Sequence, residues 1–164
     1  MGFLKEKCSF GFFTQQKAAA CKPFQCGDDD LDEFFAGDAF LQSDELLCKN
    51  YCFTLDDDPT AVVAAFTLSN DSIKKIPGSR KKKVEKNIPR EKLYSSYPAV
   101  MIGRLGVSSD FQSKHLGSDV LSFIKAWFVD PLWQDRLPLP AGRFLQQAAE
   151  PLVLRAEWLQ LPFQ

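Results

Sequence analysis

The chain has 164 residues, the length of one ordinary domain, with 45% hydrophobic and 25% charged residues, a composition that excludes a disordered or low-complexity protein. A formal net charge of -1 excludes a globally basic nucleic-acid binder but leaves room for a local basic patch. No apolar run approaches the ~18–20 residues of a membrane helix, and MGFLKEKCSFGFF lacks the basic start, apolar core and small-residue cleavage site of a secretory signal. The expected compartment is the cytoplasm, with no membrane partner.

Residues 1–22 mix aromatics and lysines without clear alternation and predict at most one strand. From Phe24 the pattern sharpens, and a helix is expected to begin at Gly27 and the acidic run after it. Asp28, Asp29 and Asp30 stand where carboxylates cap a helix and favour its positive end, and Leu31, Phe34, Phe35 and Ala39 then recur on one helical face. Cys8, Cys21, Cys26, Cys48 and Cys52 are an odd number, none in a C-x2-C pair, and His115 is the single histidine. That is poor material for zinc, so the cysteines read as reduced, mostly buried thiols and no metal site is expected.

Tyr51 to Leu55 and Ala61 to Leu68 are strand-like runs separated by Asp56-Asp57-Asp58-Pro59, a turn composition. Three aspartates also suggest calcium, but no Gly-centred, Glu-terminated loop follows, and a turn is the better reading. Residues 69–97 are a long polar stretch. Between Ser79 and Lys92 it holds seven basic and two acidic residues, a local balance of +5, with Arg80, Lys81, Lys82 and Lys83 as its centre. A solvated excursion and a surface that meets phosphate account for it equally well.

Ala99 to Val107 reads as a buried strand, Ser108-Ser-Asp110 as a turn, and Val120, Leu121, Ile124, Trp127 and Phe128 as one face of a helix after Gly117. A strand that delivers a helix start through a short loop presents unpaired N–H groups and a helix dipole to an anion, and a phosphate suits both. Gly117 allows close approach and Lys114 adds charge. Neither G-x-G-x-x-G nor G-x-x-x-x-G-K-S/T is present, which removes the dinucleotide and triphosphate-loop readings.

The stretch from Arg104 to Leu121 resembles the acetyl-coenzyme A motif of the GNAT N-acetyltransferases, whose loop reads Q/R-x-x-G-x-G/A. The resemblance implies that Leu105, Gly106 and Val107 lie along the pantetheine arm. It implies also that Gln112, Ser113, Lys114, His115, Leu116, Gly117 and Ser118 surround the pyrophosphate. His115 stands where the family usually has glycine. Phe24 to Phe35 is similar to the first-helix signature of a toxin-like subgroup, and helix, hairpin, polar excursion, strand, loop and helix follow the family order over roughly residues 22–130. The implied fold is α+β (α/β), a mixed and mostly antiparallel sheet flanked by helices. The implied reaction moves an acetyl group from acetyl-CoA to a primary amine, with strand amides stabilising the oxyanion. In the toxin-like relatives the acceptor is an aminoacyl-tRNA and an antitoxin protein neutralises the enzyme. An interaction module that binds RNA or protein through the basic 80–92 loop, without chemistry, is the alternative.

After Phe128 the family has another strand and a helix with a tyrosine that protonates the thiolate. Here prolines 131, 138, 140, 151 and 162 break any strand, only Arg143 to Leu161 could be helical, interrupted at Pro151, and no tyrosine follows, so no catalytic residue is assigned. Read from the second base of each codon, Trp133 and Trp158 are each forced to glycine. The codons between permit GKTGCRFLLVDSYNK and PLFYERNGFNFL, a strand and an FYE-x-x-GF helix end typical of the family. Residues 1–132 are therefore read as a partial GNAT domain, inactive or nearly so. Residues 133–164 are read as a frameshifted tail in place of the last strand and helix, with a native, lineage-specific tail as the alternative.

Overall fold

The aromatic opening of the chain folds into α1 (Gly2–Lys7), β1 (Cys8–Phe12) and α2 (Gln15–Ala20) in a computed structural model, which describes residues 2–74, 96–129 and 154–156. One strand is there as expected; the two flanking helices were not. α2 is capped by Thr14, whose side chain accepts the Lys17 N–H at 3.2 Å. The acidic run then starts a helix: Asp28 is extended and accepts the Leu31 N–H at 3.1 Å, opening α3 (Asp29–Glu33). A π-helical turn over Phe34–Asp38, in which the Ala39 N–H reaches Phe34 O, leads into α4 (Ala39–Asp44).

The sheet order is β1-β2-β3-β4-β5, with β2 (Lys49–Leu55), β3 (Val62–Lys74), β4 (Ser96–Val107) and β5 (Leu154–Ala156). β2 runs antiparallel to both β1 and β3, setting Tyr51 opposite Phe12 and Phe66, and Cys52 opposite Gly11 and Ala65. Asp58 closes the β2–β3 turn, as its composition predicted: it accepts from the Thr60 hydroxyl at 2.6 Å and from Lys22 Nζ at 2.7 Å. The sequence reading left no strand in the tail, yet β5 forms, beyond Pro151 and before Pro162. The rest of the tail, including the proposed start of the frameshift, lies outside the described residues. After β4 come a 3-10 helix (Ser109–Lys114) and α5 (Leu116–Val129).

The chain divides into two compact units: Met1–Ser69 with Ile102–Ile124 and Ala156–Gln164, and Asn70–Met101 with Lys125–Arg155. In the first, Phe13, Phe34, Phe35, Ala39 and Phe40 pack on Cys52, Val62 and Ala65 of the sheet. Pleating puts alternate residues on the other face, where Phe10, Tyr51, Phe53 and Phe66 form a ring stack. Phe123 of α5 meets Phe10 and Phe53 there at 4.8 and 4.9 Å. In the second unit Ala99 and Val100 are buried, and the Trp127 and Phe128 rings lie 5.3 Å apart. Cys26, Cys48 and Cys52 are buried and all five cysteines are free thiols. Burial pushes the Cys8, Cys26 and Cys52 thiols up to about 11, which keeps them protonated and unreactive at neutral pH, as the composition implied.

Candidate functional site

The site is built where β4 hands the chain to α5, and its glycines do different jobs. A Cβ on Gly103 would sit 2.9 Å from Thr67 Oγ1 of β3, and one on Gly106 would sit 3.1 Å from the Phe24 ring and 3.4 Å from Cys26 Sγ. Both positions are glycine because neighbours occupy the space. Gly117 differs: it lies in the first turn of α5, and a Cβ there would meet nothing within 4 Å. No left-handed backbone and no packing contact asks for glycine, which costs a helix interior about 1 kcal/mol relative to alanine.

Upstream of α3, the strap Phe24–Gly27 binds the turn that follows β4. The Ser109 N–H and hydroxyl both donate to Gln25 O, at 2.9 and 3.0 Å. Gln112 Nε2 donates to Cys26 O and, at 3.2 Å, to Val107 O. Cys26 N–H in turn donates to Asp32 of α3 at 2.6 Å. The Gln112 side chain thus faces protein carbonyls and holds the loop in place. Nothing in the sequence pattern signalled the strap, because its bonds join residues more than eighty positions apart.

The expected open loop is a 3-10 helix that includes Ser113 and Lys114, followed by exposed His115 at φ 53, in the left-handed region. That conformation explains how histidine can stand where the family has glycine: the turn favours glycine, and histidine is among the side chains that tolerate it. α5 begins at Leu116, two residues earlier than the sequence suggested. Leu116 is buried, anchoring the helix start, while Ser118 is exposed. The first backbone bond of α5 runs from the Asp119 N–H to His115 O at 3.4 Å, so the amides of Leu116, Gly117 and Ser118 precede any intrahelical acceptor. Amides there with open space at Gly117 suit a phosphate; Asp119 already lends this turn one carboxylate.

On β4, Leu105 and Val107 are half-buried and Gly106 is buried. Arg104 reaches back to α3, where its guanidinium pairs with Asp30 at 2.5 Å and lies 5.3 Å from the Phe34 ring centre. Phe24 also walls a pocket of about 350 Å³ with Phe13, Phe35 and Phe40, lined further by Gln15 and Lys22. The predicted basic residues Arg80, Lys81, Lys82 and Lys83 lie outside the described residues. Among the described residues no His, Cys, Asp or Glu cluster could hold a metal ion, and no helix is long and apolar enough to cross a membrane.

Solved structures share this fold. A point mutant of KacT superposes with a TM-score of 0.58 at 19% identity, over 74% of this chain and 70% of that one. AtaT in complex with acetyl-methionyl-tRNAfMet gives 0.57 at 20% identity, over 73% and 69%. AtaTR bound with AcCoA gives 0.51 at 16%, over 74% and 66%. The chain has the GNAT fold. No family model and no curated protein matches the sequence, so the GNAT fold is visible here through architecture and the short β4–α5 motif. Within it, β1 to β4 form the antiparallel sheet and α5 carries the glycine-containing turn.

Proposed function

We propose that the chain binds acetyl-CoA along β4 and at the start of α5, and serves transfer of the acetyl group to a primary amine, the amino group of an aminoacyl-tRNA. The observation that carries the reading is Gly117, a glycine with open space above it among the first amides of α5. Leu116, Gly117 and Ser118 would hold the pyrophosphate through backbone N–H groups, and Leu105 to Val107 would lie along the pantetheine. Acetyl-CoA, when bound, supplies the acetyl group as an activated thioester. Gln112 and the strap keep the loop amides aimed, and Arg80 to Lys83 would meet the phosphates of the RNA. KacT and AtaT support the toxin-like reading: AtaT is described as a toxin bound to the antitoxin AtaR and in complex with acetyl-methionyl-tRNAfMet. An antitoxin protein is accordingly the expected partner.

Residues 1–132 carry this partial domain, and residues 133–164 are a frameshifted tail; the coding DNA, read across Leu132, decides that point. Without the family's tyrosine the chain as it stands is expected to bind acetyl-CoA and to transfer the acetyl group poorly, since general acid catalysis contributes ~10²–10⁴-fold in rate. Gly117→Val tests the site. A Cβ there meets nothing within 4 Å outside its own turn, so the melting temperature should change little while calorimetric binding of coenzyme A is lost. Unchanged affinity would remove the assignment and leave the non-catalytic interaction module.

A further inference from the structure

In a regular antiparallel ladder the N–H of a strand residue goes to a carbonyl of its neighbour. Near the end of β4 a side chain of the neighbouring strand also takes part. The Arg104 N–H donates to the side-chain Oγ1 of Thr67, on β3, at 2.9 Å. The same oxygen takes the place that a Cβ on Gly103 would need, 2.9 Å away. Thr67 and Gly103 therefore specify each other: the hydroxyl fits because residue 103 has no side chain. Thr67 is 3% exposed, so water cannot replace the bond. From the other side, the Arg104 guanidinium is held by Asp30 and Phe34 of the helical segment. Main chain and side chain of one residue are thus fixed by two elements, immediately before Leu105.

We propose that Thr67 is a positioning residue for acetyl-CoA: its hydroxyl sets where Leu105 to Val107 stand relative to the first amides of α5, matching the strand that takes the pantetheine to the turn that takes the pyrophosphate. The inference rests on the acetyl-CoA reading above. A displaced strand misplaces one part of the ligand only. Ligands that touch the turn alone should not notice.

The test uses calorimetry with two probes, acetyl-CoA and 3′-phospho-ADP, the nucleotide end of the same molecule. Thr67→Val keeps the β-branched shape and removes the acceptor; losing one buried hydrogen bond is worth roughly tenfold in an equilibrium constant. Acetyl-CoA binding should weaken about tenfold, 3′-phospho-ADP binding should stay within about twofold, and Thr67→Ser should bind both as the wild type does. If Thr67→Val does not fold, Gly103→Ala, which pushes the hydroxyl from its place, should give the same split. Equal weakening of both probes, or of neither, overturns the role of Thr67 while leaving the site. Failure of the wild-type chain to bind either probe overturns the acetyl-CoA reading itself, and Thr67's role with it.

Discussion

On one face of the sheet Gly11, Cys52 and Ala65 lie in a row, and the helical segment Asp29–Asp44 settles onto it through Phe34, Phe35, Ala39 and Phe40. On the other face Phe10, Tyr51, Phe53 and Phe66 stack on one another and meet Phe123 of α5 edge-on. Small residues on the first face let a helix come close, and Asn50 fastens it, its side chain donating to Ala39 O at 2.6 Å. Rings on the second face fill the space themselves. The first arrangement depends on an exact fit between sheet and helix, where an atom removed leaves a hole. The second is a pile of large groups with two degrees of freedom each, able to close over a loss.

The largest expected effect tests that contrast. Phe35, 1% exposed and in ring contact with Phe13, Phe24 and Phe34, should cost ~3–5 kcal/mol when replaced by alanine. On the ring face, Phe123→Leu should cost less than ~1.5 kcal/mol, because stacked neighbours can shift into the difference. Urea unfolding of both variants measures the gap, and equal costs would erase the distinction between the faces. A smaller effect sharpens it. Asp28→Ala removes the cap of the helix that covers the small-residue face and should destabilise by ~1 kcal/mol, with unchanged slope in urea. The smallest lies outside both faces. Lys22 and then Thr60 hold the exposed Asp58 carboxyl down at about 2, below its usual 3.8. Its contribution to stability is present above the ordinary carboxylate range and lost as pH falls through about 2; that of Lys22, raised mainly by Asp58, is present below 10.5 and lost at higher pH. An NMR titration of Asp58 with a midpoint near 3.8 in the wild type would show that the pair does not form in solution.

Legibility followed the range of the forces involved. The capped helix at Asp28, the hairpin with its Asp-rich turn, and the β4–α5 junction are set by neighbours in the chain, and all were readable. α1 and α2 were not: each is six residues long, too short to hold itself, and each is held by tertiary packing, α1 beside β1 and α2 through Ala18 on the core cluster. β1 was expected as one strand somewhere in residues 1–22, but its position was not readable. Its Phe10 and Phe12 belong to the ring face, but Gly11 between them is a space for the other side, and Gly in a strand reads as an interruption. At the site, Gly117 and His115 could be named from the motif. Thr67, Gln25 and the inward turn of Gln112 depend on partners distant in sequence, which no local pattern encodes.

The π turn over Phe34–Asp38 reaches further than its five residues. A bond from Ala39 back to Phe34 takes up one residue more than an α-turn would. Beyond it, α4 is rotated by the ~100° that one residue spans in an α-helix, which is why Ala39 and Phe40 are buried and Asp38 is exposed. The turn acts as a phase correction: the extra residue shifts by one position which residues of α4 face the sheet. The same backbone could therefore accept a sequence shorter by one residue there, Gly37 being the one whose removal takes away no side chain.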